Sequence, residues 1–136
     1  MKLRCRRILC PIDFDRLSIH AIQMARDVAR ENDAIVYLLA VVPTAKGEVR
    51  SHLDKVAKDS LLAVARKWFE GQVSYEIVVR SGKPAATVVK VQAELPVDLV
   101  IMATHGRIGK AHARLGSVAE EVVRRSTRPV LTIRPM

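Results

Sequence analysis

The chain is poor in the residues that several functions depend on. Five aromatic side chains, Phe14, Tyr37, Trp68, Phe69 and Tyr75, make up 4% of its 136 residues. None interleaves a basic run, so a stacking platform for single-stranded nucleic acid is not expected, despite a net charge of +9. The two cysteines, Cys5 and Cys10, make no disulfide framework. Five positions apart on an extended segment, they are expected on opposite faces, as buried or free thiols in a reducing cytoplasm. No apolar run approaches the roughly 18 residues of a membrane helix. The start, MKLRCRRILCPID, has too short an apolar stretch before its aspartate to read as a signal peptide. No Ser-His-Asp or Cys-His set is legible, nor any metal-ligand spacing; His20, His52, His105 and His112 are scattered, and His20 reads as a helix-surface residue.

What remains is aliphatic. Hydrophobic residues are 49% of the chain, mostly Val, Ile, Leu and Ala, the composition of buried parallel strands. RRILCPID (6–13) reads as a short strand. Asp15 is placed to cap a helix carrying Leu17, Ala21, Ala25, Val28 and Ala29 at helical spacing. AIVYLLAVVP (34–43) is a continuous strand-length run, followed by the polar stretch TAKGEVRS. A second helix is expected to bury Leu53, Val56, Leu61, Val64 and Trp68, with Gly71 ending it. VSYEIVVR (73–80) alternates partly, as near a sheet edge. Pro84 opens a third helix, VDLVIMAT (97–104) is a fourth strand, and SVAEEVVRRS (117–126) is a short helix with Val118, Ala119, Val122 and Val123 inward. RPVLTIRP (128–135) closes the series. Strict alternation of strands and helices over residues 1–136 predicts one α/β domain: a parallel sheet with right-handed crossovers and helices on both faces. Ligands of such folds sit beyond the carboxyl ends of the strands, where the winding reverses.

One connection is long. Twelve residues separate Thr104 from Ser117, and they include Gly106, Gly109, Gly116, Arg107, Lys110, His112 and Arg114. Glycines let backbone N–H groups encircle an oxyanion, and the following helix begins with free N–H groups. Plainer readings exist for each piece: Ser117 with Glu120 spells a capping box, Gly116 fits a turn, and the cations fit a solvated surface. Neither G-x-x-x-x-G-K-[ST] nor G-x-G-x-x-G is present, and the first strand–helix turn has no glycine.

The segments ILCPIDFDRLSIHAIQMA, GKPAATVV, DLVIMATHGRIG and LGSVAEEVVRRSTRPVLTIRP together resemble the universal stress protein family from about Arg6 to Pro135. Its nucleotide signature is glycine, two residues, glycine, nine residues, then glycine with serine or threonine. Ala103, Gly106, Gly116 and Ser117 keep that spacing, with alanine in place of the first glycine. The resemblance implies a five-stranded Rossmann-like sheet in order 3-2-1-4-5 with its crevice between strands 1 and 4. It implies ATP as ligand, with or without Mg2+. Pro11, Ile12 and Asp13 would meet ribose and adenine, and Val41 would meet adenine, beside Ala40 where many relatives have histidine. The backbone from Gly106 through Arg107 to Gly109, and Gly116-Ser117-Val118, would hold phosphates; His105 is a further contact candidate.

The resemblance implies slow ATP hydrolysis at most, or none, and no candidate general base for an attacking water stands out beyond Asp13. The competing expectation is an apo, dimeric stress-signalling protein that binds no ATP, acting through an unidentified protein client; Ala103 favours it. Nucleic acid and membrane are not expected as partners. The last strand, PVLTIRP, lies at a sheet edge in the implied order, is apolar and carries no lysine, so a homodimer paired through it is expected.

Overall fold

A computed structural model describes residues 5–14, 19–104 and 116–134. Its elements run β1 (Arg7–Pro11), α1 (Ile19–Asn32), β2 (Ile35–Val42), α2 (Gly47–Trp68), β3 (Ser74–Ser81), α3 (Pro84–Glu94), β4 (Leu99–Ala103), α4 (Ser117–Arg125) and β5 (Val130–Ile133). All strand pairs are parallel, and the sheet order is β3-β2-β1-β4-β5. The expected α/β architecture is therefore present, strand for strand and in the expected order.

Side-chain alternation along the strands feeds two cores. Ile8 and Cys10 of β1, with Val36, Leu38 and Ala40 of β2, meet α1 and α2 through Ile22, Ala25, Leu61 and Ala65. Leu9 of β1, Leu39 of β2 and Val100 of β4 meet α3 and α4 through Val88, Val91, Ala119 and Val122. Small residues on the helices, such as Ala25, Ala29, Ala65 and Ala119, let the backbones approach the sheet; all four are wholly buried. Truncating a large core member such as Leu61 to alanine costs about 2–5 kcal/mol.

Polar groups fix the sheet's lower rim and one helix pair. Asp98 accepts the backbone N–H groups of Arg6 (2.8 Å) and Arg7 (3.0 Å), and its own N–H donates to the Arg7 carbonyl (2.8 Å). This clips the start of β1 to the start of β4. Buried Gln92 donates to Ser126 Oγ (2.7 Å), whose hydroxyl donates to the Arg128 carbonyl (2.7 Å), tying α3 to the turn before β5. Gly82 has φ +142°, and a Cβ there would stand 2.8 Å from Thr87 Oγ1, so the turn into α3 requires glycine.

Several local expectations are corrected. The helix α2 begins at Gly47, inside the stretch read as a polar connection, because Glu48 suits a first turn and Arg50 pairs with Asp54 one turn on (2.9 Å). Its buried stripe runs through Ala57, Leu61 and Ala65, leaving Val56 50% exposed. Ser117 is the first residue of α4, with Gly116 at the cap, so the capping box is not formed. Val123 is 44% exposed, since α4 is short and buries only Ala119 and Val122. Cys5 and Cys10 join the same core, although spacing put them on opposite faces: Cys5 precedes β1, where strand alternation no longer applies. The helix cap expected at Asp15 and the inward Leu17 lie outside the described residues.

Both thiols are free and buried. Burial pushes Cys10 from the ordinary 9.0 up to about 12. The unfolded chain then releases this proton at lower pH than the fold does. Its contribution is intact below pH 9 and is lost as pH rises from 9 towards 12. Urea unfolding between pH 8 and pH 11 is expected to show stability falling with a slope of up to about 1.4 kcal/mol per pH unit from this group. In Cys10→Ala the decline becomes shallower; an identical slope in that variant contradicts the assignment.

Candidate functional site

The strand order makes a gap at one end of the sheet. The chain leaves β1 to form α1 on one face and arrives at β4 from α3 on the other, so the carboxyl ends of β1 and β4 are not bridged by a shared connection. A cavity of about 590 Å³ opens there. Its floor is the carboxyl ends of β1, β2 and β4, and its walls come from α1, α2 and the first turns of α3 and α4.

Six of the sequence-predicted residues line this one cavity: Pro11, Ile12, Asp13, Val41, Ala103 and Val118. They come from β1 and its exit, β2, β4 and α4. Pro11 ends β1, and the ladder runs one bond further, from Ile12 N–H to the Leu39 carbonyl (2.8 Å). Proline has no N–H, so its substitution for another residue is tolerated only at such a strand end. Ala103 is the last residue of β4, in register with Ile133 of β5. Among the described residues only Asp33 combines a side chain with positive φ, so Ala103 takes ordinary strand backbone without strain. Buried Thr104, just beyond, donates its N–H to the Ile133 carbonyl (2.9 Å) and anchors the point where the chain departs.

Gly116 and Ser117 adjoin Val118 in the chain but are not among the residues lining the cavity. Gly116 has φ −63° and ψ 159°, a conformation open to any residue, so its glycine is not demanded by the backbone angles. Ser117 is exposed at the N-terminus of α4, with the helix's first N–H groups around it; the Glu120 N–H is already taken by the Gly116 carbonyl (2.9 Å). His105, Gly106, Arg107 and Gly109, with Lys110, His112 and Arg114, lie outside the described residues.

Sequence reasoning missed one whole wall. His52, Leu53, Val56, Ala57 and Ser60 of α2 line the cavity, as does Phe14 next to Asp13. The sequence carried no signal for this wall: Val56 reads there as one more buried member of the helix's apolar stripe, and its half exposure is seen only in the structure. Chemically the cavity is mostly aliphatic. Asp13 is the one carboxylate, and no lysine or arginine appears, among its described lining residues. Two helix N-termini, at Pro84 of α3 and Val118 of α4, meet it and supply partial positive charge.

A family model described as "Universal stress protein family" matches residues 4–134. Universal stress protein MJ0531 of Methanocaldococcus jannaschii is 30% identical over 139 residues, covering 95% of this chain and 82% of that protein. Among solved structures, protein MJ0577 of the same organism aligns with a TM-score of 0.84 at 24% identity, over 98% of both chains. A universal stress protein in complex with cAMP aligns at 0.74 and 20% identity, over 98% of this chain and 99% of that one. The Archaeoglobus fulgidus protein in complex with dAMP aligns at 0.65 and 20% identity, over 96% and 98%.

Proposed function

The chain belongs to the universal stress protein family, and from that footing we propose that its crevice binds an adenine nucleotide, with ATP the form that uses the whole site. The observation that carries this reading is the convergence of Pro11, Ile12, Asp13, Val41, Ala103 and Val118 on one cavity. They come from four separate stretches of the chain, 11–13, 41, 103 and 118. Structural neighbours in complex with cAMP and dAMP support the adenine part. The aliphatic lining of the cavity, Ile12 and Val41 among it, suits a base, which needs apolar walls. Asp13 suits a ribose hydroxyl. The N-terminus of α4 suits phosphate, by its free N–H groups and dipole. Magnesium would arrive with the phosphates, because one carboxylate makes no cage for it. The protein's part is binding and regulation of stress responses; the competing apo reading differs by a single titration.

A second proposal concerns assembly. β5 is the edge strand, and its Leu131 is 37% exposed, so two copies can pair antiparallel through β5 and bury each other's edge as a homodimer.

Two experiments test these readings. Calorimetry with ATP is expected to give saturable binding. Val41→Glu, which sets a charge against the base, and Gly116→Val, which crowds the phosphate approach, are each expected to weaken it tenfold or more, about 1.4 kcal/mol. Ala103→Gly is expected to bind at least as well as the parent. No heat with ATP or ADP at millimolar concentration refutes nucleotide binding and favours the apo reading. Sedimentation at micromolar concentration is expected to show a dimer, and Thr132→Pro, lacking a mid-strand donor, to shift it towards monomer. A single species near the 15.1 kDa of one chain refutes the dimer.

A further inference from the structure

The sheet has a second edge. β3 ends it on the side away from β5 and runs eight residues without proline, against four in β5. The Gly82 N–H donates to the Val42 carbonyl of β2 (3.0 Å). A strand turns its backbone groups to alternate sides, so Glu76, Val78 and Arg80 direct theirs to β2 as Gly82 does. Tyr75, Ile77, Val79 and Ser81 direct their N–H and C=O groups outward, where no strand pairs with them among the described residues. The Arg80 guanidinium donates to one of these, the Val79 carbonyl (3.2 Å), and lies 3.7 Å from the Glu94 carboxylate. Side chains alternate as well. Tyr75, Ile77 and Val79 pack on the face of α1 and α2, and Val78 on the face of α3 and α4. Glu76 and Arg80 share the Val78 face, one on each side of it, and both are exposed.

This layout fits a second copy of β3 running antiparallel. Outward groups must meet outward groups, which allows registers centred on Ile77, Val78 or Val79. Centring on Ile77 sets Glu76 against Val78 of the second copy and Arg80 against its Ser74. Centring on Val79 sets Glu76 against Gly82 and Arg80 against Val78. Centring on Val78 sets Glu76 against Arg80 of the second copy and Arg80 against its Glu76. Of the three, only this register gives all of Tyr75, Ile77, Val79 and Ser81 a strand partner. It pairs Ile77 with Val79 at hydrogen-bonded positions and places both charge pairs, with Val78 against its own copy, at the closer non-hydrogen-bonded positions. Charges on an edge strand usually blunt it. Here an acid before and a base after an apolar centre make the strand complementary to itself about a two-fold axis. We propose that the β3 edge is a self-recognition surface: two copies pair antiparallel about Val78, and Arg80 passes from its own Val79 carbonyl to Glu76 of the second copy. The β5 pairing proposed above leaves this edge free, so the two interfaces are independent, and a chain using both builds assemblies larger than a dimer.

Sedimentation of the full chain from micromolar to millimolar concentration tests this. The parent's average mass is expected to exceed that of Glu76→Arg and of Arg80→Glu, each of which sets like charges across the axis and weakens this association about tenfold or more. An equimolar mixture of the two variants is expected to recover the parent's mass, because one strand then carries two cations and the facing strand two acids. Recovery on mixing also shows that both variants are folded. Thr132→Pro, introduced into all of them to remove β5 pairing, is expected to leave the pattern intact. Equal masses for the parent and both single variants overturn the proposal, as does a mixture no heavier than its components. A pattern that disappears with Thr132→Pro assigns the association to β5 and overturns it likewise.

Discussion

Everything in this molecule is arranged around β1. Ile8, Leu9 and Cys10 are wholly buried, and their side chains enter two different cores. A strand buried on both faces cannot alternate polar and apolar residues, so it must be a short aliphatic run. Because β1 pairs with β2 on one side and β4 on the other, the winding reverses across it. Right-handed crossovers then place α1 and α2 on one face and α3 and α4 on the other. The crevice is the geometric consequence: no crossover bridges the carboxyl ends of β1 and β4. The Asp98 clip acts at the opposite end of the same pair, holding β1 and β4 in register while leaving their upper ends apart.

The same constraint explains how far the sequence could be read. Strands such as IVYLLAVV and LVIMA are legible because double burial leaves them no polar positions. Helices were legible by period, but their edges were not. The start of α2 at Gly47 depends on an acidic first turn and an ion pair, whereas Thr44 to Ser51 looks polar enough for a loop. At α4 the composition S-x-x-E suggested a cap one residue later than the observed one, since Gly116 can serve that position itself. Val56 and Val123 show a different limit. Periodicity identifies a stripe, but its width is decided by how much of the helix a neighbour covers. Cys5 lies where the strand has not yet begun, so counting by twos misplaced it.

The candidate site was legible unevenly for similar reasons. Strand-end residues Pro11, Ile12, Asp13, Val41 and Ala103 are fixed by topology, and they converge. The α2 wall was not legible, because no pattern in a helix says which stretch of it overhangs a sheet edge. The resulting cavity is aliphatic where a base would lie and is met by helix N-termini where phosphate would lie. Among the described lining residues there is no lysine or arginine, so in the proposed reading the contribution they make to phosphate is the dipole and N–H groups at the α4 N-terminus, with the chain's formal +9 favouring anions at a distance.

The central claim is that an adenine nucleotide occupies the crevice at the carboxyl ends of β1, β2 and β4. Backbone amide shifts in a 15N-labelled sample titrated with ATP read this position by position. Saturable shifts concentrated at Ile12, Asp13, Val41, Ala103, Ser117 and Val118, with β3 and the carboxyl-terminal half of α2 unmoved, are the predicted result. Shifts centred elsewhere, or none at millimolar ATP, would contradict it.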